Sequence, residues 1–273
     1  MQQVSKVVLL TGASGGLGTA IAKHLSEKNY IVYGTSRQPH TSPYYTWIPM
    51  DLSDADSIDE AVKQVLSKEN RIDILINNAG IGITGSVEET SIEDIKHVFN
   101  VNVFGVVQTI QKVLPMMRKQ QSGTIINISS IAGYTGLPFR GFYSATKSAV
   151  MRMSEALSSE VKSFNIKVID IAPGDFQTNI AAGRLYTEAR ENSPYYSDYK
   201  RILKMIDEEV EAGLKPDVLG QKITKILNLN HPKLRYNIGL FMQRITPYLT
   251  CLLPGRFFEK LIRNHYKMHN KNS

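Results

Sequence analysis

The chain has 273 residues, 42% of them apolar, which is enough for one large domain with a full hydrophobic core and excludes a collagenous, low-complexity or disulfide-rich protein. The formal net charge of +7 lies at the end of the chain, because residues 231–273 hold eight Lys/Arg and one acidic residue while the first 230 residues carry 24 of each sign. The neutral body argues against nucleic-acid binding, and the basic end is a candidate for contact with an anionic surface.

Strand and helix patterns alternate along the first two thirds of the chain. Short apolar runs predict strands at Val7–Leu10, Ile31–Ser36, Thr46–Met50, Ile72–Ile76, Gly123–Ile128 and Ile166–Ile171. Helical spacing predicts helices over 16–28, 54–68, 91–119 with a break near 100–102, and 143–164. The alternation predicts an α/β fold, a doubly wound, Rossmann-like parallel sheet with helices on both faces. Ligands of such a sheet bind at the carboxyl ends of its strands.

The rest of the chain departs from this alternation. The polar, tyrosine-rich region 178–215 is predicted to be a lid over the substrate. A helix starts at Pro216, a seventh strand follows at Leu234–Ile238, and residues 240–267 predict two amphipathic helices separated by a Pro-Gly pair. We therefore expect a catalytic domain of residues 1–240 and a basic helical extension of residues 241–273.

A glycine-rich turn, TGASGGLG, joins the first predicted strand to the first helix. Gly12 permits the tight turn, Gly16 lets the backbone approach a pyrophosphate, and Gly18 lets the helix pack close to the sheet. The N-terminus of the helix offers free N–H groups and a partial positive charge to a phosphate. A purely structural turn without a ligand is the alternative.

Several motifs together resemble the short-chain dehydrogenase/reductase family over about residues 5–240. They are the glycine turn, the run Asn77–Gly80, and Ser130 followed by Tyr143 and Lys147 four residues apart. Asp51-Leu52, Asn102 and Pro173-Gly174 fit the same pattern. The resemblance implies an oxidoreductase that transfers hydride between a nicotinamide dinucleotide and a carbonyl or alcohol. It also implies a homodimer or homotetramer.

Tyr143 and Lys147 share one face of a predicted helix. An ammonium about 5 Å from the phenol, at an effective dielectric of about 20, would stabilise the phenolate by roughly 3 kcal/mol and lower the tyrosine pKa by about two units. Such a phenol is a competent general acid or base. The resemblance implies that Tyr143 protonates the carbonyl oxygen, that Lys147 also binds the nicotinamide ribose, and that Ser130 orients the substrate. It implies that Asn102 holds a water linked to Lys147; a helix cap is the alternative.

The predicted cofactor site collects residues from several strand ends. These residues are Gly12, Ser14, Gly15, Gly16, Leu17, Gly18, Ser36, Arg37, Asp51, Leu52, Asn78, Ala79, Gly80, Tyr143, Lys147, Pro173, Gly174 and Thr178. Asp51 is expected to accept from the adenine amino group, with N-capping of the next helix as the alternative. Of Asn77 and Asn78, one is expected to tie neighbouring strands together and the other to lie near the ribose.

The end of the second predicted strand decides the cofactor. It carries no acidic residue, and Arg37 stands where a 2′-phosphate would lie, so we predict NADP(H). A solvated arginine that stacks on adenine is the alternative. No cluster of Cys or His predicts a metal site.

The expected substrate is a hydrophobic ketone or aldehyde, lipid-, retinoid- or steroid-like, because apolar residues are predicted near the active site. They are Leu137, Pro138, Phe139 and Phe142. The extension carries two apolar stripes, which either pack on the domain or a second subunit or face a membrane. The stripes are Phe241, Ile245, Tyr248 and Leu252, and Phe257, Phe258, Leu261 and Ile262.

The single cysteine, Cys251, is expected in an apolar core or interface and fits a cytoplasmic protein. The first residues lead directly into a strand, which predicts no signal peptide, and no apolar run is long enough for a transmembrane helix. Two other functions stay open: a non-catalytic NADP(H)-binding regulator, and an epimerase or dehydratase that reuses the Tyr/Lys pair.

Overall fold

A computed structural model describes residues 5–178, 183–188 and 190–268. Residues 1–4, which belong to the segment predicted to contain no signal peptide, lie outside the described residues. So do residues 179–182 and 189 of the predicted lid and residues 269–273 of the predicted extension.

The strands confirm the predicted α/β class. In chain order they are β1 (Val7–Leu10), β2 (Ile31–Ser36), β3 (Thr46–Pro49), β4 (Ile74–Asn77), β5 (Ile83–Thr84), β6 (Gly123–Ile128), β7 (Ile166–Pro173), β8 (Leu185–Tyr186) and β9 (Arg235–Ile238). In the described part of the chain, a seven-stranded sheet has the order β3-β2-β1-β4-β6-β7-β9. All its pairings are parallel. Strands β5 and β8 form a separate parallel pair.

Helices cover both faces of this sheet. In chain order they are α1 (Gly16–Ser26), α2 (Ala55–Glu69), α3 (Ile92–Phe99), α4 (Gly105–Gln120), α5 (Gly141–Glu160), α6 (Tyr196–Glu211), α7 (Pro216–Leu227), α8 (Phe241–Leu252) and α9 (Gly255–His265). Alternate residues of β1 serve the two cores: Val7 and Leu9 face α2 and α4, whereas Val8 and Leu10 face α1 and α7. Each such buried side chain contributes about 1.5–3 kcal/mol to folding.

Some predicted boundaries move for local reasons. The expected break near residue 100 is a π-helical segment, Asn100–Phe104, that joins α3 to α4 without interrupting the helical path. Strand β4 begins two residues later than predicted, since the N–H of Ile72 donates to Oε1 of Gln120. Helix α5 begins earlier and ends earlier than predicted, and a short 3₁₀ turn, Lys162–Phe164, follows it.

The region predicted as a lid contains a well-packed helix. Helix α6 buries Tyr199, Ile202 and Ile206 in a small apolar cluster with Phe139 and Tyr266. The rings of Phe139 and Tyr199 lie 5.3 Å apart. Phe139 therefore packs beneath α6, and its proximity to the substrate stays a prediction.

Helices α8 and α9 bury only part of their predicted stripes. Helix α9 turns Phe258 inward while Phe257 stays exposed, and along α8 the side chains of Phe241, Tyr248 and Leu252 are 72%, 64% and 78% exposed. Because α8 presents its outer face to solvent, Cys251 is also exposed, so it does not lie in the core, while its place in an interface stays a prediction. None of the helices in the described ranges combines the length and apolarity needed to cross a membrane.

Candidate active site

Ser130, Tyr143 and Lys147 meet where β6 ends and α5 begins. The hydroxyl of Ser130 lies near enough to the phenol of Tyr143 to lower the pKa of that phenol. Nζ of Lys147 lies 5.8 Å from the centre of the Tyr143 ring and donates to the carbonyl oxygen of Ile128 at 2.9 Å. The spacing of four residues therefore places the lysine beside the tyrosine ring, as predicted from one helical turn.

The pKa of Tyr143 differs from our prediction. Burial raises it, and Ser130 and the charge of Arg140 only partly oppose the rise. The expectation that Lys147 lowers the pKa of Tyr143 is wrong for the protein without a bound cofactor. The Lys147 ammonium lies against the tyrosine ring and donates to the backbone carbonyl oxygen of Ile128. The phenol thus keeps its proton at neutral pH, which suits a proton donor better than a base.

Lys147 is itself buried, with 6% of its surface exposed. Burial lowers the pKa of its ammonium to about 8, against the charge of Asp170. Asp170 is fully buried in β7 and accepts a hydrogen bond from Arg235. Our sequence reasoning missed Asp170, although a lone acidic residue in a mostly apolar strand was a usable signal.

Asn102 lies in the π-helical segment and is buried. Its Oδ1 accepts from the N–H of Ile81 at 2.8 Å, and its Nδ2 donates to the carbonyl oxygen of Ile81 at 2.9 Å and to Oγ1 of Thr146 at 3.2 Å. These contacts join the β4–β5 connection to α5, so the alternative of a helix cap is not realised. A water held by Asn102 stays a prediction.

A cleft of about 430 Å³ opens at the carboxyl ends of β1, β2 and β4. Its walls include most of the predicted cofactor residues, namely Gly12, Ser14, Gly15, Gly16, Leu17, Gly18, Ser36, Arg37, Asp51, Leu52, Asn78, Ala79, Gly80 and Thr178. Our prediction missed Thr35, Met50, Ile81 and Val101, which also line it. These are apolar or small side chains without a motif, and only the fold brings them to the cleft.

The glycine turn fits a pyrophosphate. Gly12 has φ of 67°, a conformation that favours glycine, and a Cβ there would lie 2.8 Å from Cα of Ala79. A Cβ on Gly18 would collide with the carbonyl oxygen of Gly12. The N–H groups of Gly16 and Leu17 make no hydrogen bond to the residues that the structure describes. Free donors at a helix N-terminus are what a phosphate needs.

Arg37 and Asp51 lie on the same wall of the cleft. Arg37 is exposed and makes no hydrogen bond or ion pair within the described part of the chain. Oδ1 of Asp51 accepts from the N–H and the hydroxyl of Ser53 at 2.8 and 2.7 Å. Burial raises the pKa of Asp51, but Ser53 and the nearby Arg37 outweigh it, so the pKa is lowered. The cap of α2 is Asp54, as predicted, so Asp51 does not cap that helix.

The two asparagines at the end of β4, Asn77 and Asn78, make different contacts. Nδ2 of Asn77 donates to Oδ1 of Asn127 at 2.8 Å, which ties β4 to β6 as expected for one of the pair. Nδ2 of Asn78 donates to the carbonyl oxygens of Thr11 and Gly12 at 3.0 and 3.1 Å, so it supports the glycine turn. Asn78 also lines the cleft.

Pro173 and Gly174 lie outside the cleft lining. The carbonyl oxygen of Pro173 is 3.5 Å from Oγ of Ser130, so this loop borders the catalytic group instead. A Cβ on Gly174 would collide with Oε1 of Gln243 in α8. The glycine is therefore needed where α8 packs on the loop, a contact that no local motif announces.

The tip of this loop and the start of α5 carry further charges. Arg140, Asp175 and Arg184 all act on the pKa of Tyr143, the acid raising it and the arginines lowering it. Arg140 also contacts α9, since it donates to the hydroxyl of Tyr266. The C-terminal helices thus form part of the surroundings of the catalytic tyrosine.

Comparison with known proteins places these features in a wider group. The sequence model described as short chain dehydrogenase matches residues 6–189. The 3-ketodihydrosphingosine reductase of Bacteroides thetaiotaomicron is 41% identical over 263 residues, which cover 96% of this chain and 98% of that protein.

Two solved structures have the same fold as this chain. A short-chain dehydrogenase from Streptomyces avermitilis is 30% identical, with a TM-score of 0.83, over 99% of this chain and 100% of its own. ElxO, a structure with NADP bound, is 25% identical, with a TM-score of 0.69, over 86% of this chain and 96% of its own.

Proposed function

Because this chain belongs to the short-chain dehydrogenase/reductase family of oxidoreductases, we propose that it uses NADPH to reduce the ketone of a hydrophobic, long-chain substrate. The observation that carries the proposal is the position of Tyr143, with Ser130 near its phenol and Nζ of Lys147 5.8 Å from the centre of its ring. The proposed substrate class is supported by the name of the 3-ketodihydrosphingosine reductase that is 41% identical over nearly the whole chain.

Each catalytic side chain has a proposed task. The bound nicotinamide supplies hydride to the carbonyl carbon. Tyr143, whose pKa is raised by burial, gives its proton to the carbonyl oxygen, and Ser130 holds that oxygen in place. Lys147, with a pKa of about 8, is still largely protonated at neutral pH and carries a positive charge next to the phenolate that forms. A raised pKa keeps the phenol protonated at neutral pH, which is the form that a reduction requires.

The cofactor form rests on Arg37. The guanidinium lines the cleft, is exposed, and lacks a partner among the described residues, so it is free to bind a 2′-phosphate. The alternative is that the Arg37 guanidinium stays solvated and stacks on the adenine without binding a 2′-phosphate. The related ElxO carries NADP, in line with this proposal.

A panel of ketones tests the function. NADPH oxidation should be fastest with 3-ketodihydrosphingosine or another long-chain ketone, and slow with retinal, a steroid ketone and a short-chain ketone. A non-catalytic regulator would oxidise none of them, although it would bind NADPH. An epimerase or dehydratase would change its substrate without net oxidation of the cofactor. Either outcome would overturn the proposed reduction.

We also propose that α8 and α9 bind reversibly to anionic membrane surfaces, in a protein that is otherwise cytoplasmic. On α9, Arg256, Phe257, Lys260 and Leu261 share one exposed face at helical spacing. Exposed Phe241 adds an aromatic side chain on α8. Each basic residue near an anionic leaflet contributes about 1 kcal/mol, and salt screens this attraction.

Co-sedimentation checks the membrane proposal. Full-length protein should pellet with phosphatidylserine-containing vesicles at low salt, and much less with neutral vesicles or at high salt. Replacing Phe257 and Lys260 with serine should weaken pelleting without loss of NADPH binding. If the protein stays in the supernatant with anionic vesicles at low salt, the membrane proposal is wrong. The exposed face of α8 and α9 would then be expected to contact another subunit, and light scattering should give the mass of a homodimer or homotetramer.

A further inference from the structure

Asp175 is a carboxylate beside the catalytic group that the proposed proton transfer does not use. It follows Pro173-Gly174 at the end of β7, on the loop whose carbonyl oxygen lies 3.5 Å from Oγ of Ser130. Its charge reaches the proton donor, since Asp175 raises the pKa of the Tyr143 phenol. Asp175 is therefore close enough to influence a substrate bound at Ser130 and Tyr143.

One side of this carboxylate is held in a fixed orientation. Nε2 of Gln243 donates to Oδ2 of Asp175, and Oε1 of the same amide accepts from the backbone N–H of Asp175 at 3.3 Å. Oε1 also accepts from the N–H of Leu240 at 3.2 Å, which fixes Gln243 at the start of α8. The other oxygen, Oδ1, makes no hydrogen bond to any residue within the described ranges.

The cations around Asp175 are engaged elsewhere. Arg140 donates to Tyr266 and lies 3.8 Å from Oε2 of Glu209, while Nε2 of His265 lies 2.7 Å from Oε1 of that glutamate. Arg184 forms its ion pair with Asp207 at 2.8 Å.

Asp175 itself forms no ion pair with the described residues. Burial raises the pKa of Asp175, and Arg140 is the strongest charge that opposes the rise. Asp175 is half-buried, and a bound cation would compensate for the partial loss of water around this oriented carboxylate.

We propose that Asp175 binds the cationic amine of the substrate, so that a long-chain ketone with an amine on the neighbouring carbon is preferred to the same ketone without it. This inference rests on the proposed function. If Ser130 and Tyr143 hold the ketone oxygen, the carbon that carries the amine is next to the ketone carbon, and the proposal puts that amine on the side of the loop that carries Asp175. Oδ1 of Asp175 accepts from the ammonium while Gln243 keeps Oδ2.

The test compares two substrates and two variants. The substrates are 3-ketodihydrosphingosine and the matching 3-ketone without the amine, each assayed for kcat/KM with saturating NADPH. The variants are Asp175→Asn, which keeps the shape and an acceptor for Gln243, and Glu208→Gln, which removes an exposed acidic charge of α6. Thermal unfolding and NADPH binding of both variants show whether the fold is intact.

The expected result is selective. Asp175→Asn should lose about ten- to hundredfold in kcat/KM on the amino ketone, the range for a hydrogen bond to a charged group, and about threefold or less on the ketone without the amine. Glu208→Gln should resemble the wild type on both. An equal loss on both substrates would show that Asp175 only anchors α8 through Gln243, and would overturn the inference.

A comparison within the wild type covers the case in which Asp175→Asn does not fold. N-acetylation of the amine removes its charge and should lower kcat/KM by about ten- to hundredfold. Equal turnover of the charged and uncharged ketones overturns the inference and leaves the proposed reduction standing. Failure to turn over any of these ketones overturns the proposed function as well.

Discussion

Replacing Tyr143 with phenylalanine is expected to lower turnover of a ketone about 10²–10⁴-fold, the usual contribution of a positioned acid. The change removes the phenol oxygen, and with it the proton that Tyr143 would donate to the carbonyl oxygen. NADPH binding should survive, because Tyr143 lies outside the lining of the dinucleotide cleft. Steady-state kinetics with a long-chain ketone and NADPH titration by fluorescence measure the two effects.

Tyr30→Phe is the matched control. Tyr30 is partly buried at the amino end of β2, the opposite edge of the sheet from the catalytic group, and burial also raises its pKa. It should keep wild-type turnover. Thermal unfolding should change little in Tyr143→Phe, since Ser130 still accepts from the N–H of Ala132 at 3.1 Å. Turnover within about threefold of the wild type would remove Tyr143 from the mechanism.

Arg37→Asp is expected to reverse the cofactor preference from NADPH to NADH. The guanidinium supplies two charge-assisted hydrogen bonds to a 2′-phosphate, worth about 1.5–3 kcal/mol each, or a hundredfold or more together. The new carboxylate repels the phosphate and accepts from the ribose hydroxyls of NADH. The ratio of kcat/KM for the two cofactors, at a fixed ketone concentration, reports the change.

Lys222→Asp makes the same change of charge at an exposed position of α7, away from the cleft, and should leave the cofactor ratio unaltered. A wild-type enzyme that uses NADH as efficiently as NADPH would contradict the role given to Arg37. Its guanidinium would then be a solvated group that stacks on adenine.

Local patterns predicted the parts of the molecule that depend on neighbours in sequence. The alternation of apolar strands and amphipathic helices predicted the sheet, and the spacing of Tyr143 and Lys147 predicted their proximity, because a helix fixes the geometry of residues four apart. The glycine turn could be predicted for the same reason, because its conformation depends on its own residues and on the helix that follows.

Features that depend on contacts between segments far apart in the sequence could not be predicted. The pKa of Tyr143 was predicted in the wrong direction because burial, a property of the whole fold, raises it more than Ser130 and Arg140 lower it. The position of Phe139 depends on α6, which lies far along the chain. Gln243 reaches the loop after β7 only through the packing of α8. No spacing or motif records such contacts.

The contact between Arg140 and Tyr266 has a consequence for synthesis of the protein. Arg140 precedes the catalytic tyrosine by three positions, yet its partner Tyr266 belongs to the segment that follows α9. Domains fold largely as units while the chain emerges from the ribosome. A nascent chain that has reached β9 holds the whole sheet and the glycine turn, whereas Arg140 gains its aromatic partner only after another helical pair has been translated. Arg140 therefore reaches its final surroundings only after α9 and Tyr266 have been translated.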